Sequence, residues 1–379
     1  MPWREASIMS QRLEFVTLAM AEGANMGRLC RRFAISCKTG YKWLHRFEEG
    51  GIQALQDCSR RPHSSPKRTP HSIERAILAM RDRHSAWGAR KIRARLQTHG
   101  MVGLPSVSTI TAILRRNGKV DPEESDRHKP WHRFEAEDPN CLWQMDFKGH
   151  FRVSQVRCHP LTVLDDHSRY LLGVYACANE RWKTVQGHLA TVFRRYGLPE
   201  RMLVDNGSPW GSDEIYQHTP LTVWLMHLGI EVLHSRPYHP QTLGKCERLH
   251  RTLKAEAIGK RAFRSLEHCQ EHFDLWRYVY NFQRPHEALG MAVPASRYRE
   301  SSREFPETLP PIEYAPGDEL RKVQIDGRVY FRGRGFSVGK AFRGRQLALR
   351  PTATDGVFNV FFCHYTVAQV DLNDHNADA

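Results

Sequence analysis

The chain has 379 residues, with 56 Lys and Arg against 41 Asp and Glu, and a formal net charge of +15. Its hydrophobic fraction of 40% excludes a disordered chain, and its length exceeds one ordinary hydrophobic core, so two to four domains are expected. An excess of basic residues is typical of proteins that bind nucleic acid, although ribosomal and membrane-surface proteins share it.

Cysteine usage predicts a reducing environment. The nine cysteines are an odd number and form no Cys-x-x-Cys pair. We find no signal peptide and no apolar run long enough to span a membrane, so we expect a cytoplasmic protein with no membrane partner. His268 and His272 have helical spacing but no nearby carboxylate to complete a zinc site, and we interpret them as helix-surface histidines.

Residues 1–58 are predicted to form a helix-turn-helix domain of three helices. Ser36 is placed to cap the third helix, and Tyr41, Leu44 and Phe47 are expected to point inward. The other side of this helix carries Lys38, Lys42, His45 and Arg46. A basic third helix after a tight turn is typical of a helix that enters the major groove, although a plain three-helix bundle has the same pattern.

A basic, proline-rich linker is predicted at 59–70, and a second helix-turn-helix domain at 71–120. Between residues 70 and 120 there are ten Lys and Arg and two acidic residues. The candidate DNA contacts in this domain are Arg90, Lys91 and Arg93. Two such domains would read a longer DNA site than either alone, and a charged linker follows at 121–137.

Residues 138–300 change to an α/β pattern. In the first strand Trp143, Met145 and Phe147 alternate with Gln144, Asp146 and Lys148. Four further strands are predicted, at 160–164, 170–176, 201–205 and 230–234, and helices are predicted at 182–196, 219–228 and 266–280. The sequence therefore favours a mixed five-stranded sheet. A glycine-punctuated, basic segment at 318–372 predicts a small β-barrel, although any five-stranded β module would fit.

Three carboxylates are placed for chemistry in this α/β segment. Asp146 is mid-strand on the face opposite its apolar neighbours, Asp205 ends a strand, and Glu247 follows the fifth strand. Hard oxygen ligands without His or Cys favour Mg²⁺ or Mn²⁺. Such a set can hold two ions roughly 3.5–4 Å apart for phosphoryl transfer.

Glu247 is predicted to lie on a helix that runs from about Gln241 to Ile258. Gly244, Arg251 and Lys254 share its face, which suits a metal ion beside a phosphate backbone. Taken alone, this pattern is more typical of an ordinary amphipathic helix with a solvated charged face. Asp165 and Asp166 are rival ligands, which we assign to a structural turn because paired Asp with Ser readily bonds its own backbone.

Several motifs in the same order resemble the catalytic core of DDE-type bacterial insertion-sequence transposases, which share the retroviral-type integrase (RNase H-like) fold. The motifs are Trp143-Gln144-Met145-Asp146-Phe147, Thr162 to Arg169, Leu203 to Ser208, His239 to Arg248, and Asn281-Phe282-Gln283-Arg284-Pro285-His286. The resemblance covers about residues 138–300, and the helix-turn-helix domains precede it in the expected order.

This resemblance implies that Asp146, Asp205 and Glu247 bind two Mg²⁺ or Mn²⁺ ions. It implies that substrate DNA approaches Gln241 and Gly244, and that Lys254 contacts phosphate. The implied reaction is hydrolysis that frees a 3′-hydroxyl at the element end, followed by attack of that hydroxyl on target DNA. Double-stranded DNA, as terminal inverted repeats and target, is the implied partner, with at least a homodimer in a bacterial, nucleoid-associated setting.

Two departures from the family pattern remain: Asp205 and Glu247 are 42 positions apart (247 − 205), longer than is usual, and Leu243 replaces a smaller or polar residue. Two alternatives also stay open. One is a nuclease of the same fold that cuts without joining. The other is a catalytically silent, DNA-binding regulator.

Overall fold

The computed structural model describes residues 7–57, 59, 68–120, 135–211, 218–235, 244–259 and 261–374. The chain divides into two compact units, Met1–Arg68 and Thr69–Ala379. Among the described residues, no helix is both long and apolar enough to cross a bilayer.

The first unit contains three helices, α1 (Ile8–Ala19), α2 (Met26–Arg32) and α3 (Cys37–Gly50). Ser36 caps α3 as predicted, because its side chain accepts a hydrogen bond from the Thr39 amide. The prediction that Tyr41 points inward is wrong: Tyr41 is 58% exposed, and Trp43 is buried in its place. Gly40 explains the rotation, since an added Cβ would lie 2.6 Å from the Cys30 sulfur, so α3 approaches α2 along its Gly40 side.

The second unit begins with three more helices, α4 (His71–Arg83), α5 (Ala89–Thr98) and α6 (Val107–Arg116). Their shared core contains the fully buried side chains Ile77, Trp87, Ile92 and Ile110. Ser106 caps α6 by accepting a hydrogen bond from the Thr109 amide. The helical pattern read from the sequence is therefore present.

A mixed sheet forms the centre of the second unit, as the alternating pattern predicted, but with one strand more than the five expected. Its strands are β1 (Leu142–Phe147), β2 (Phe151–Val153), β3 (Val156–Asp165), β4 (Leu171–Cys177), β5 (Arg201–Val204) and β6 (Glu231–His234). The main order is β4-β3-β1-β5-β6, and β2 extends the pairing with β3. β1 is antiparallel to β3 and parallel to β5.

Helices cover both faces of this sheet because both faces are apolar. α7 (Trp182–Tyr196) and α8 (Pro220–His227) pack on the face that carries Trp143 and Met145. α9 (Gly244–Leu253) and α10 (Leu266–Phe282) pack on the opposite face. The predicted start of α9 near Gln241 lies outside the described residues. Its predicted end at Ile258 is reached through a π-helical turn, Lys254–Ile258, instead of regular α-helix.

The motif Asn281 to His286 holds α10 against the sheet and the π-helical turn. Asn281 is buried and bonds both the amide and the carbonyl of Leu171, at 2.8 and 3.0 Å. Arg284 donates to a Glu256 oxygen at 3.0 Å, and Trp276 donates to the other at 3.1 Å. In this structure the motif therefore serves packing.

The C-terminal strands are β7 (Glu319–Lys322), β8 (Arg328–Phe331), β9 (Arg334–Ser337), β10 (Gln346–Pro351), β11 (Val357–Phe362) and β12 (Tyr365–Asp371). They form a four-stranded antiparallel sheet, β12-β11-β10-β7, and a separate hairpin of β8 and β9. The strands predicted from the sequence are present, but a closed barrel is not seen among them. Their apolar core also packs against Val223 and Met226 of α8.

Candidate active site

Asp146 and Asp205 are brought together by adjacent parallel strands. The β1–β5 register pairs Gln144 with Leu203, so Asp146 follows two residues later on β1 and Asp205 comes directly after the end of β5. The carboxyl ends of parallel strands meet at one edge of a sheet, where α/β proteins expose their ligand sites. The sheet thereby converts two distant positions in the sequence into neighbours.

Glu247 lies in the first turn of α9 and is exposed, while Cys246 and Leu249 bury the other side of the helix against the sheet. α9 covers the face of β1 opposite Trp143 and Met145, which is the face of Asp146. Asp146 thus comes from a strand, Asp205 from the end of a strand, and Glu247 from a helix.

The three carboxylates share one electrostatic environment. The pKa of Asp146 rises from 3.8 to about 7, first because the group is buried and then because of the charges of Asp205 and, less strongly, Glu247. A hydrogen bond from the Phe147 amide opposes this shift. In the part of the chain that the structure describes, no three His, Cys, Asp or Glu side chains are close enough to hold one ion as they stand.

Asp205 is oriented by its own turn. The Gly207 amide donates to Oδ1 at 3.1 Å, and the indole N–H of Trp210 donates to the same oxygen. Trp210 is 1% exposed, and its ring stacks on Phe147 with centroids 5.4 Å apart. The sequence analysis did not identify this contact.

His250 is a second residue that the sequence interpretation missed. It is buried one turn after Glu247, and its Nδ1 lies 3.8 Å from Asp146 Oδ2. Its Nε2 lies 2.8 Å from the hydroxyl of Thr162, the residue opposite Asp146 on β3. Burial, and then the charge of Lys148, lower the pKa of His250 to about 4. The i, i+3 spacing of Glu247 and His250 was the available signal.

The rival acids Asp165 and Asp166 have internal partners. Asp165 accepts from the amides of Asn140 and Ser168, at 2.8 and 2.7 Å. Asp166 accepts from Gln144 Nε2 at 2.8 Å and forms an ion pair with Lys245. Both carboxylates are fully buried, and these contacts are those of a structural turn.

Two of the predicted DNA contacts, Gly244 and Arg251, lie on α9, and Lys254 begins the π-helical turn that follows it. Gly244 is the first described residue of α9, and a Cβ there would meet open space. Arg251 and Lys254 are exposed, and the charge of Lys254 helps burial to lower the pKa of Lys148. Gln241 lies outside the described residues.

On α3, Lys38 and Lys42 are exposed, and Arg46 is half-buried with its guanidinium 4.9 Å from the centroid of the Trp43 ring. Lys38 and Lys42 therefore lie on the helix surface predicted to meet DNA, whereas Arg46 donates to the Gln56 carbonyl at 3.2 Å. Nothing in their surroundings identifies a base contact.

On α5, only Arg90 of the three candidates is exposed. Arg93 donates to the Pro105 carbonyl at 3.2 Å. Lys91 is half-buried, and its pKa falls to about 8 because of burial and the charge of Arg284, with Glu256 and Glu287 opposing the shift. Lys91 is therefore close enough to Arg284, Glu256 and Glu287 of the integrase-like core for their charges to act on it.

Family models cover most of this architecture. A helix-turn-helix domain matches residues 11–63, and a homeodomain-like domain matches 39–114. Integrase core domains match residues 136–240 and 228–294. The C-terminal domain of the IS481 family of transposases matches residues 318–378. The matched domains and their order are those of insertion-sequence transposases with an integrase core.

Curated relatives agree with this assignment. The chain is 28% identical over 159 residues to an uncharacterized 39.2 kDa protein of insertion element IS476 from Xanthomonas euvesicatoria, covering 41% of this chain and 44% of that one. It is 25% identical over 157 residues to an uncharacterized 31.7 kDa protein of insertion element IS407 from Burkholderia multivorans, covering 41% and 54%. It is also 32% identical over 117 residues to the Gag-Pro-Pol polyprotein of Mason-Pfizer monkey virus, covering 31% and 6%. The matches thus span about half or less of each relative.

Solved retroviral structures give low superposition scores. A simian T-cell lymphotropic virus intasome in complex with a PP2A regulatory subunit has a TM-score of 0.37 at 13% identity, covering 78% of this chain and 96% of that one. The HTLV-2 integrase catalytic core in complex with magnesium has a TM-score of 0.31 at 15% identity, covering 44% and 100%. The assignment depends on the family models instead.

Proposed function

We propose that this transposase binds the ends of an insertion sequence and cleaves and joins DNA strands at Asp146, Asp205 and Glu247. The observation that carries the proposal is the raised pKa of Asp146, whose main causes after burial include the charges of the other two acids. Asp205 and Glu247, from two other elements, disfavour the ionisation of Asp146, and a divalent cation bound among the three acids would offset this.

The donor set fits Mg²⁺ or Mn²⁺, because all three side chains offer hard oxygens. Two bound ions would supply a nucleophile from water and stabilise the attacking and leaving oxygens of the phosphodiester. Gly207 and Trp210 both bond Oδ1 of Asp205, so the described residues leave its Oδ2 available for a cation.

The reaction we propose has two displacements at phosphorus. Water first attacks a phosphodiester at the element end, and the bond to the 3′-oxygen breaks to leave a free 3′-hydroxyl. That hydroxyl then attacks a phosphodiester of target DNA and releases another 3′-hydroxyl. Each step exchanges one P–O bond for another, so no covalent protein–DNA intermediate is needed.

Recognition of DNA is assigned to the helical domains and to the surface of α9. α3 presents Lys38, Lys42 and Arg46, and basic helices after a tight turn dock in the major groove. Arg251 and Lys254 are exposed beyond Glu247 and would bind phosphate. Two element ends must be joined in one event, so we propose at least a dimer on DNA, in the bacterial cytoplasm at the nucleoid.

The test is a strand-transfer assay with Mn²⁺ and terminal repeats taken from the DNA that flanks the gene. Wild type should yield cleaved and joined products, and Glu247→Gln should yield neither. Glu271→Gln is the matched control, because Glu271 is likewise an exposed helical glutamate. Equal products from wild type and Glu247→Gln would refute the enzymatic role.

The same assay separates the alternatives. Cleavage without joined products would identify a nuclease of the same fold. Sequence-specific binding with no cleavage, in wild type and Glu247→Gln alike, would identify a regulator.

A further inference from the structure

The hairpin formed by β2 and β3 carries two arginines directly opposite each other. Register pairs Arg152 with Arg157, and both are exposed. Neither forms an ion pair with any residue that the structure describes. Like charges facing each other across a strand pair destabilise the hairpin, so the arrangement costs stability unless an anion binds there.

The other side of the hairpin is anchored in the core. Val153 and Cys158 are completely buried against α9 and α10. The Phe151 ring lies 5.8 Å from that of Phe263. This anchoring holds the two arginines at a defined position, so no large loss of backbone entropy is expected when they bind a ligand.

The surface around the arginines favours a polyanion. Residues 147–164 contain Lys148, Arg152 and Arg157 and no acidic residue. The hairpin borders a cavity of about 560 Å³ lined by His150, Phe151, Arg152, Gln155, Val156 and Arg157.

The basic surface also continues toward the proposed active site. β1 ends one residue after Asp146, and Lys148 and His150 join it to β2. The charge of Lys254, which is exposed just after the Glu247 helix, contributes after burial to lowering the pKa of Lys148. Lys148 therefore lies in sequence between Asp146 and the hairpin.

We propose that Arg152 and Arg157 bind consecutive phosphates of the DNA held at the active site. This inference rests on the proposed function for the identity of the polyanion. An extended backbone of regularly spaced phosphates matches two exposed guanidinium groups on an anchored hairpin better than a single acidic side chain would. The DNA is either the element end or the target, and the chemistry recognised is the same.

The experiment measures duplex binding by fluorescence anisotropy as a function of salt concentration. One probe is a random duplex of about 30 base pairs and the other carries the terminal repeat of the element. Arg152→Ala/Arg157→Ala should reduce the slope of log affinity against log salt by about 1.8, because each lost phosphate contact removes about 0.9. Arg152→Lys/Arg157→Lys should keep the slope.

The matched control is Arg194→Ala/Arg299→Ala, which removes the same charge from arginines that are already paired with Glu307 and Asp138. Its slope should stay close to that of wild type. A loss confined to the repeat duplex assigns the hairpin to the element end, and a loss with both duplexes assigns it to backbone contacts shared with the target. An unchanged slope with both probes, or a loss no greater than that of the control, would overturn the proposal.

Thermal unfolding adds a readout that is independent of DNA. Removing one of two facing like charges should leave the melting temperature unchanged or raise it, and a clear fall would show that the arginines stabilise the fold. If the proposed function is wrong, wild type will show no Mn²⁺-dependent cleavage, even if the hairpin binds DNA. This outcome is therefore distinct from failure of the hairpin proposal.

Discussion

His250 donates from Nε2 to the hydroxyl of Thr162, at 2.8 Å. The same hydroxyl lies 3.1 Å from the backbone carbonyl of Asp146. Because a carbonyl can only accept, the hydroxyl proton points to Asp146, and the hydroxyl oxygen must accept from His250 Nε2–H. His250 is then the neutral tautomer whose unprotonated Nδ1 faces the Asp146 carboxylate. This chain of bonds joins β1, β3 and α9 beneath the proposed metal site.

We expect His250→Phe to weaken Mn²⁺ binding by about 10-fold, because residues that orient ligating carboxylates typically contribute that much. His250→Gln should retain most of the affinity, since its amide nitrogen can donate near the position of Nε2. Calorimetric titration of the DNA-free protein with Mn²⁺ measures both. His364→Phe, at an exposed histidine, is the control.

A double-mutant cycle tests whether Thr162 and His250 act together. If they do, Thr162→Val/His250→Phe should bind Mn²⁺ no more weakly than the worse single variant. If the losses of Mn²⁺ affinity in the two single variants add up fully in the double variant, the two residues act independently.

Trp210→Phe is expected to lower Mn²⁺ affinity by about 3- to 10-fold, because the indole N–H no longer orients Asp205. The ring that stacks on Phe147 is largely kept. Trp224→Phe, another core substitution of the same kind, controls for packing, since Trp224 belongs to the same apolar cluster. An equal loss in both variants would mean that repacking, and not the hydrogen bond, is responsible.

Stability of the metal-free protein should depend on pH through Asp146. Its pKa is about 7 when folded and near 3.8 when unfolded, so the folded state binds more protons between these values. Relative to Asp146→Asn, wild type is therefore most stable below pH 4 and loses stability as the pH rises through 7. The full difference is roughly 4 kcal/mol. Urea unfolding in chelator measures it, and parallel curves for the two proteins would contradict the shift.

Lys254→Ala should weaken binding of a duplex and leave Mn²⁺ affinity unchanged, because the lysine is exposed and is assigned to phosphate. Lys183→Ala is the comparison, as Lys183 is exposed on α7, on the other face of the sheet. A matching fall in Mn²⁺ affinity for Lys254→Ala would contradict this division of roles.

Asn281→Ala should destabilise the second unit by about 2 to 4 kcal/mol, because it leaves the buried amide and carbonyl of Leu171 without partners. Gln283→Ala, at a half-buried position of the same segment, should cost far less. Equilibrium unfolding measures both, and equal losses would show that solvent reaches the Leu171 backbone.

The order of helices and strands was readable from the sequence, because it depends on local periodicity. α7 has the predicted bounds, 182–196, and the alternation of Trp143, Met145 and Asp146 identified the two faces of β1. On α3, Leu44 and Phe47 pack inward as predicted, but Tyr41 was mispredicted, since a close approach between helices at Gly40 decides which side is buried. The π-helical turn after α9 was likewise invisible, because its Glu256 bonds to α10, which follows later in the chain.

For the candidate site, the sequence alone determined which acids to consider and which metal chemistry they suit. Folding decided that Asp146 lies on one strand and Asp205 directly after its parallel neighbour, that Trp210 and His250 contact these acids, and that Asp165 and Asp166 are bonded elsewhere. The reason is physical. Residue type and spacing describe local preferences, whereas hydrogen bonds and mutual charge effects depend on which distant segments the sheet brings together.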